Sequence, residues 1–239
     1  MQWVLWTAAC LVWLTPWLTR IEDFVISTSH FVERHGLVVI VALGESVVVI
    51  GVGAGELDLD GTLVLVALLA LALSASIWWA YFTDEPAIER GLEEAPPARR
   101  PSLALVGFGY WHYGLLLGVI ALAAGLKKAV GHAWDPLDAW IATELGAGVA
   151  LFLACDVGFR RTLGVDGGGV RLVAAAAALA TIALGTEVAA VAQVLALAAI
   201  VAAALTVEAR SRRAARARRE RGSGAVVDAH PAPSPQQSK

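Results

Sequence analysis

Long apolar runs separated by short polar stretches dominate the chain and predict helices that cross a membrane. Each run is close to the ~20 residues that a helix needs to span a bilayer. Because backbone groups find no water in the hydrocarbon layer, such runs must be helical. The run from Leu63 to Leu73 shows no alternation of the kind that β-barrel strands require. The pattern predicts an all-α polytopic transmembrane bundle of about seven spans, with segments 2–18, 33–54, 61–82, 102–126, 137–156, 170–186 and 188–207.

The distribution of basic residues predicts the orientation of these spans. Lys and Arg collect in the cytoplasmic loops of membrane proteins. With the N-terminus outside, 16 of the 18 Lys and Arg residues fall on the cytoplasmic side, and Lys127 and Lys128 fall outside. The asymmetry therefore predicts an N-out, C-in arrangement with the lipid bilayer as the main partner.

The chain divides by composition near residue 207. Residues 1–207 hold the predicted spans, whereas 208–239 begin with EARSRRAARARRERGSG and continue with a Pro- and Ser-containing stretch. Blocks of like charge followed by such sequence are typically disordered, so we expect a basic, disordered cytoplasmic tail. Its arginines could bind anionic lipids, or could do no more than enforce orientation.

The bulk composition excludes several classes of protein. Hydrophobic residues make up 58 % of the chain and charged residues 16 %, and the mean hydropathy is +0.67. Soluble domains carry about 45–50 % apolar and about 25 % charged residues. An ordinary soluble enzyme, a disordered chain, a disulfide framework and a nucleic-acid-binding domain are all excluded, so no nucleic-acid partner is expected.

The densest polar cluster opens the second predicted span. His30, Glu33, Arg34 and His35 crowd its start, where a solvated helix end is the simplest interpretation. Glu45 lies ten residues further along, about 15 Å deeper at 1.5 Å per residue. A carboxyl group near the bilayer centre costs several kcal/mol unless it is protonated, paired or hydrated. Glu45 is therefore a candidate proton-handling group, or a hydrogen-bonding group that holds helices together.

Two further titratable residues fall inside predicted spans. His112 lies in the fourth span and Glu144 in the fifth. Because intramembrane ionisable residues rarely face lipid, we predict that Glu45, His112 and Glu144 share an interior cavity at mid-depth. Hydrogen-bonded packing of the histidine is the alternative.

Local spacing suggests packing and pairing roles for other residues. Gly107, Gly114, Gly118 and Gly125 lie on one face of the fourth span and should allow close helix packing, as should the Gly51–Gly55 pair. Asp156–Arg160 and Glu208–Arg212 have the i, i+4 spacing of stabilising ion pairs. The stretch GVDGGG (164–169) is predicted to be a cytoplasmic turn and lacks the lysine of a phosphate-binding loop.

The remaining sequence points to no cofactor or metal. His30 and His35 lie five residues apart without a cysteine or an HExxH pattern near them. The last predicted span has no lysine for a retinal Schiff base, and no nucleophile–base pairing supports an enzyme. We expect a non-enzymatic protein without cofactor or metal.

The stretch HFVERHGLVVIVALGESVVVIGVG (30–53), together with YWHYGLLLGVIALAAGLKKAV (110–130), resembles the bacterial low-temperature-requirement protein A (LtrA) family. Members share an H-x-x-E-R-x-G-L-x-x-x-I-x-L-G-E-S run. It is matched here by His30, Glu33, Arg34, Gly36, Leu37, Ile40, Leu43, Gly44, Glu45 and Ser46. The resemblance implies a multi-pass inner-membrane protein linked to growth in the cold. Family members are generally longer, so the chain resembles their C-terminal portion, and a separate N-terminal half or a second copy is an expected partner.

Two functions remain open at this point. The first is a proton-linked transporter or channel-like protein that uses the buried Glu45. The second is a membrane module for assembly, sensing or lipid interaction that transports nothing and in which Glu45 holds helices together.

Overall fold

The computed structural model describes residues 2–15, 27–55 and 57–228 of the chain. Within these residues the secondary structure is helical, and the all-α class is confirmed. Ten α-helices follow in order: α1 Gln2–Leu14, α2 Thr28–Ala54, α3 Gly61–Phe82, α4 Glu85–Glu94, α5 Arg100–Ala104, α6 His112–Gly131, α7 Ala139–Thr162, α8 Gly169–Ala180, α9 Ile182–Glu187 and α10 Ala190–Asp228. A 3₁₀ turn, Pro97–Arg99, precedes α5, and a π-helical segment, Leu105–Trp111, joins α5 to α6.

Helices α6 and α7 form the centre of the bundle and pack along their whole length. On the other side of α6 lies α2, and α8 lies against α7, while α10 contacts α3 and α8. Helix α2 shows why the packing is regular, because its buried residues recur every three or four positions, as helix packing requires. They are Val32, Gly36, Val39, Leu43, Ser46 and Ile50.

Six helical stretches in the described residues are long and apolar enough to cross a membrane. They are Thr28–Ala54, Gly61–Glu94, Pro97–Gly131, Ala139–Thr162, Gly169–Glu187 and Ala190–Ala217. Each contains or overlaps one of the predicted spans from the second to the seventh. Of the first predicted span, α1 covers 13 residues, and positions 16–18 lie outside the described residues. The count of seven spans and the N-out orientation stay predictions.

The predicted disordered tail needs correction over much of its length. Helix α10 continues without a break from Ala190 to Asp228, so residues 208–228 are helical. Ala, Arg and Glu, which dominate this stretch, are strong helix formers, and a charge run by itself does not oppose a helix that is already nucleated. Residues 229–239 lie outside the described residues.

Candidate functional site at the arginine-rich end

Charged side chains meet inside one end of the bundle, which we call the arginine-rich end. Here α3, α7 and the apolar part of α10 end, while α8 begins. Six side chains, three acidic and three basic, form one ion network between these elements. They are Asp84, Asp156, Arg160, Arg171, Glu208 and Arg212.

Arg171 is the centre of this network. Its side chain is 1 % exposed. Its guanidinium donates to Asp156, to the Glu208 carboxylate at 2.9 and 3.0 Å, and to the carbonyl oxygen of Ala80 at 3.0 Å. A buried arginine is tolerated only when its donors find acceptors, and here carboxylates from two helices and a backbone carbonyl supply them.

The other two arginines both contact Asp84. Arg212 binds the Asp84 carboxylate through two nitrogens, at 2.6 and 3.0 Å. Arg160 lies 3.2 Å from Asp84 and 3.4 Å from Glu208. Because three positive and three negative groups share the site, the network balances its formal charge. It ties the junction of α3 and α4 to α7, α8 and α10.

A glycine-rich turn brings Arg171 into the network. Gly167 and Gly168, just before α8, have φ values of 106° and 98°, a left-handed conformation that disfavours residues with a side chain. A Cβ atom at Gly168 would also lie 2.9 Å from the Val157 side chain. The turn therefore folds α8 back tightly onto α7 and places Arg171 opposite Asp156. The prediction of a turn at 164–169 agrees with this geometry.

A cluster of rings lies directly beside the ion network. His112, the first residue of α6, is 2 % exposed. Its ring centroid lies 5.3 Å from His35 on α2, 5.7 Å from Tyr81 on α3 and 6.0 Å from Phe159 on α7. Tyr81 follows Ala80, whose carbonyl accepts from Arg171, and Phe159 precedes Arg160. The two groups are therefore neighbours.

The π-helical segment determines where His112 lies. Over Leu105–Trp111 the helix is wider than an α-helix, and the His112 backbone N–H bonds to the carbonyl of Gly107, five residues back. Short π segments inside α-helices frequently occur at functional sites. The sequence gives no periodic signal for this segment, and its two glycines, Gly107 and Gly109, are its weakest helix formers.

The chemistry of the two histidines differs. Neither ring nitrogen of His112 makes a hydrogen bond of standard length and angle with a described residue, although the backbone of His35 lies close to the ring. His35 is half-buried, and its Nδ1 lies 2.8 Å from the carbonyl oxygen of Phe31. Because a carbonyl can only accept, Nδ1 of His35 is the donor, and Nε2 of the neutral ring is then free to accept a proton.

The structure contradicts the predicted position of Glu45. This side chain is exposed on the outer surface of the described bundle, whereas its neighbour Ser46 is fully buried. The helix face that carries Gly36, Val39 and Leu43 turns towards α6 and α3, and Glu45 lies on the face that it shares with Arg34. The sequence correctly places Arg34 and Glu45 on one face, but an apolar helix does not reveal which face is buried.

His112 and Glu144 also lie apart from each other. Glu144 is half-buried near the start of α7, and fifteen residues separate it from Phe159, the α7 residue that contacts His112. At 1.5 Å per residue this is about 22 Å along the helix. The prediction that Glu45, His112 and Glu144 share a cavity at mid-depth is therefore wrong. Glu45 lies on an outer face of the bundle, and His112 and Glu144 lie near its opposite ends.

The other motif residues divide between surface and interior. His30, Glu33 and Arg34 are exposed, with His30 Nδ1 3.7 Å from Glu33. Gly36 is buried, and a Cβ atom there would lie 3.3 Å from the Phe82 ring and 3.6 Å from a Glu85 oxygen. A Cβ atom at Gly44 would meet nothing within 4 Å among the described residues.

The four glycines that share a face of the fourth span all turn towards α7. A Cβ atom at Gly118 would lie 2.7 Å from the Gly148 carbonyl and from the Phe152 nitrogen. Added Cβ atoms at Gly107, Gly114 and Gly125 would meet Phe159 or Leu163, Cys155 and Leu145. A Cβ atom at Gly51, in contrast, would meet nothing within 4 Å among the described residues.

The ion network was only partly visible in the sequence. Glu208 and Arg212 do form an i, i+4 pair, at 3.4 Å. The predicted Asp156–Arg160 pair is wrong, since Asp156 binds Arg171 and Arg160 binds Asp84 and Glu208. Asp84 and Arg171 carry no local signal, because their partners lie 15 to 128 residues away. In the described part of the chain, no three His, Cys, Asp or Glu side chains converge as a metal site would require.

The apolar helices define an integral, multi-pass membrane protein. Residues 1–207 match the family described as bacterial low temperature requirement A protein (LtrA), and the chain belongs to that family. An uncharacterised protein of Rhizobium meliloti (strain 1021) is 27 % identical over 169 residues. The match covers 66 % of this chain and 41 % of the relative, so the chain spans less than half of that relative's length. No solved structure matches the chain.

Proposed function

We propose that this membrane protein handles protons at its arginine-rich end, with His112 as the intramembrane group that gains and loses the proton. The observation that carries the proposal is the buried His112 ring, whose nitrogens make no hydrogen bond of standard length and angle with a described residue. An ionisable side chain inside a transmembrane bundle is costly, and such residues commonly form proton relays.

Two further titratable groups, one of them partly exposed, lie near His112. His35 is next, with its ring 5.3 Å away and its Nε2 available as an acceptor. Gly36 follows His35 in the chain and lies against Glu85 at the start of α4, which is a partly exposed carboxylate. In this proposal a proton leaving His112 passes through one bridging water to His35 and then to an acid at the end of the bundle.

This arrangement fits a proton-linked transporter or channel-like protein, with the histidine pair in the role first assigned to Glu45. The excess of arginine at this end supports a cytoplasmic orientation for it, and the proposal takes the bacterial cytoplasmic membrane as the location. Because the relative is more than twice as long as the matched region, we also propose that a second copy or a separate N-terminal half completes the assembly.

Proton flux in proteoliposomes tests the proposal. The full chain is reconstituted with a pH-sensitive dye inside, and a potassium diffusion potential drives protons through it. The native protein should conduct protons above the level of empty liposomes, and His112→Gln should abolish the excess. The matched control is His132→Gln, since His132 is an exposed histidine that lies beyond α6 at the opposite end. Equal flux for His112→Gln and the native protein, or no flux for the native protein, contradicts the proposal.

One observation favours the second candidate, a membrane module that transports nothing. The α6 and α7 backbones touch at Gly118 and Gly148, and the ion network joins four elements at one end. Such a bundle is suited to a rigid scaffold for assembly or sensing. This candidate predicts that His112→Gln lowers thermal stability or abundance without a flux defect.

A further inference from the structure

A cleft of about 300 Å³ opens between the end of α3 and the helix α10 at the arginine-rich end. Trp79 and Thr83 form its α3 side, and its α10 side is lined by Leu205, Ala209, Arg212, Arg213, Arg216 and the carboxylate of Glu208, which Arg171 and Arg212 bind. It lies where the apolar part of both helices ends and the basic part of α10 begins. We call it the α3–α10 cleft.

Two of its arginines carry charge that the ion network does not neutralise. Arg212 is already bound to Asp84 and Glu208, within a network of three acids and three arginines. Arg213 and Arg216 are exposed and form no ion pair with another described residue. Their spacing of three residues makes them neighbours on the helix surface, so they present two positive charges side by side.

One part of the cleft is apolar and is formed by Trp79 on α3 and Leu205 on α10. Trp79 is 60 % exposed at the end of α3, and Leu205 is half-buried about two to three turns before Arg213 and Arg216. Tryptophan side chains prefer the interface between headgroups and hydrocarbon. The cleft therefore combines a basic part at the polar side of the interface with an apolar part towards the hydrocarbon.

We propose that the α3–α10 cleft binds an anionic phospholipid, with Arg213 and Arg216 holding the phosphate and with Trp79 and Leu205 packing on the first part of the acyl chains. Guanidinium groups bind phosphate oxygens through paired, charge-assisted hydrogen bonds. Basic pockets between transmembrane helices are typical binding sites for anionic headgroups. A free phosphate ion offers the same anionic chemistry, but it would gain nothing from the apolar part, which favours the lipid.

Lipid binding by the full chain in mild detergent tests the proposal. Native mass spectrometry measures binding of phosphatidylglycerol, of phosphatidylcholine and of inorganic phosphate in separate titrations. The native chain should prefer phosphatidylglycerol, and Arg213→Gln/Arg216→Gln should bind it about thirtyfold more weakly, given about 1 kcal/mol per arginine at a membrane surface. Trp79→Ala should weaken lipid binding and leave any phosphate binding unchanged.

The matched control removes two exposed arginines that lie outside the cleft, in Arg161→Gln/Arg210→Gln. It should bind phosphatidylglycerol almost as tightly as the native chain. An equal loss in both double variants would overturn the proposal in favour of a general charge effect. Inorganic phosphate binding as tightly as the lipid would also overturn it, because the site would then be a small-anion site.

Discussion

Arg212 on α10 binds both carboxylate oxygens of Asp84, at 2.6 and 3.0 Å, across 128 residues of sequence. This contact fixes the first basic turns of α10 to the junction of α3 and α4. The end of the packed bundle along the chain therefore does not coincide with the change of composition near residue 207. Residues 208–212 belong to the packed structure, although their composition is that of a basic tail.

Truncation of α10 should reveal this boundary. A chain that ends after Val207 loses Glu208 and Arg212, which leaves Arg171 without its main carboxylate partner and Asp84 without its bidentate arginine. Breaking buried ion pairs in this way costs about 3–5 kcal/mol, so we expect a large fall in thermal stability in detergent. A chain that ends after Ala217 retains both residues and should unfold near the native temperature. Equal stability of the two truncated chains would contradict a structural role for residues 208–212.

Removal of Arg171 should be more damaging than removal of Arg171 together with Asp156. Arg171→Met leaves the Asp156 carboxylate buried without its partner, and we expect a loss of about 3–5 kcal/mol. Arg171→Met/Asp156→Asn removes one charge of each sign and should recover a substantial part of that loss. Unfolding temperatures of both variants measure the difference. Arg161→Met, which removes an exposed neighbour, should change stability by less than about 0.5 kcal/mol. If the double variant unfolds at no higher temperature than Arg171→Met, Arg171 and Asp156 do not act as a pair.

The sequence predicts well where the helices of this bundle lie along the chain, but it predicts poorly which residues of each helix face the interior. The limits of α3 and of the α8–α9 stretch agree with apolar segments 61–82 and 170–186 almost residue for residue. A run that is apolar on every side, however, gives no preferred buried face. For that reason Glu45 could be placed at a depth along α2 but not on a side of it.

The candidate site depends on contacts that local spacing does not encode. The i, i+4 rule identifies Glu208–Arg212, but it also suggests Asp156–Arg160, where Arg171 from the next helix takes the aspartate. Which partner an arginine selects depends on how helices pack, and this follows from the glycine turn before α8. The ring pair of His35 and His112 likewise depends on α2 packing against α6.

The glycines of α6 offer a test of how closely the central pair packs. A Cβ atom at Gly118 would lie 2.7 Å from backbone atoms of α7, which cannot move aside as a side chain can. Gly118→Ala should therefore force α6 and α7 apart and cost about 1–3 kcal/mol, seen as a lower unfolding temperature. Gly44→Ala is the control, because a Cβ atom there meets nothing within 4 Å of described residues and alanine favours the helix. If Gly118→Ala is as stable as Gly44→Ala, the close α6–α7 contact is incorrect.

The adjacent residues Glu45 and Ser46 should respond in opposite directions to the same substitution. Glu45 lies on an exposed face of α2, so Glu45→Leu removes a carboxyl group from an apolar surface at no cost in packing inside this chain. Its unfolding temperature in detergent should equal or exceed the native value. Ser46 is fully buried against the neighbouring helices, and Ser46→Leu should overpack that contact and cost about 1–3 kcal/mol. Stability lost in Glu45→Leu and kept in Ser46→Leu would mean that α2 is rotated and that Glu45 points into the bundle.

A second measurement, the oligomeric state by light scattering, separates the effect on the fold from the effect on assembly. If the exposed face of α2 contacts a second copy through Glu45, Glu45→Leu should change that state while the unfolding temperature of the monomer holds.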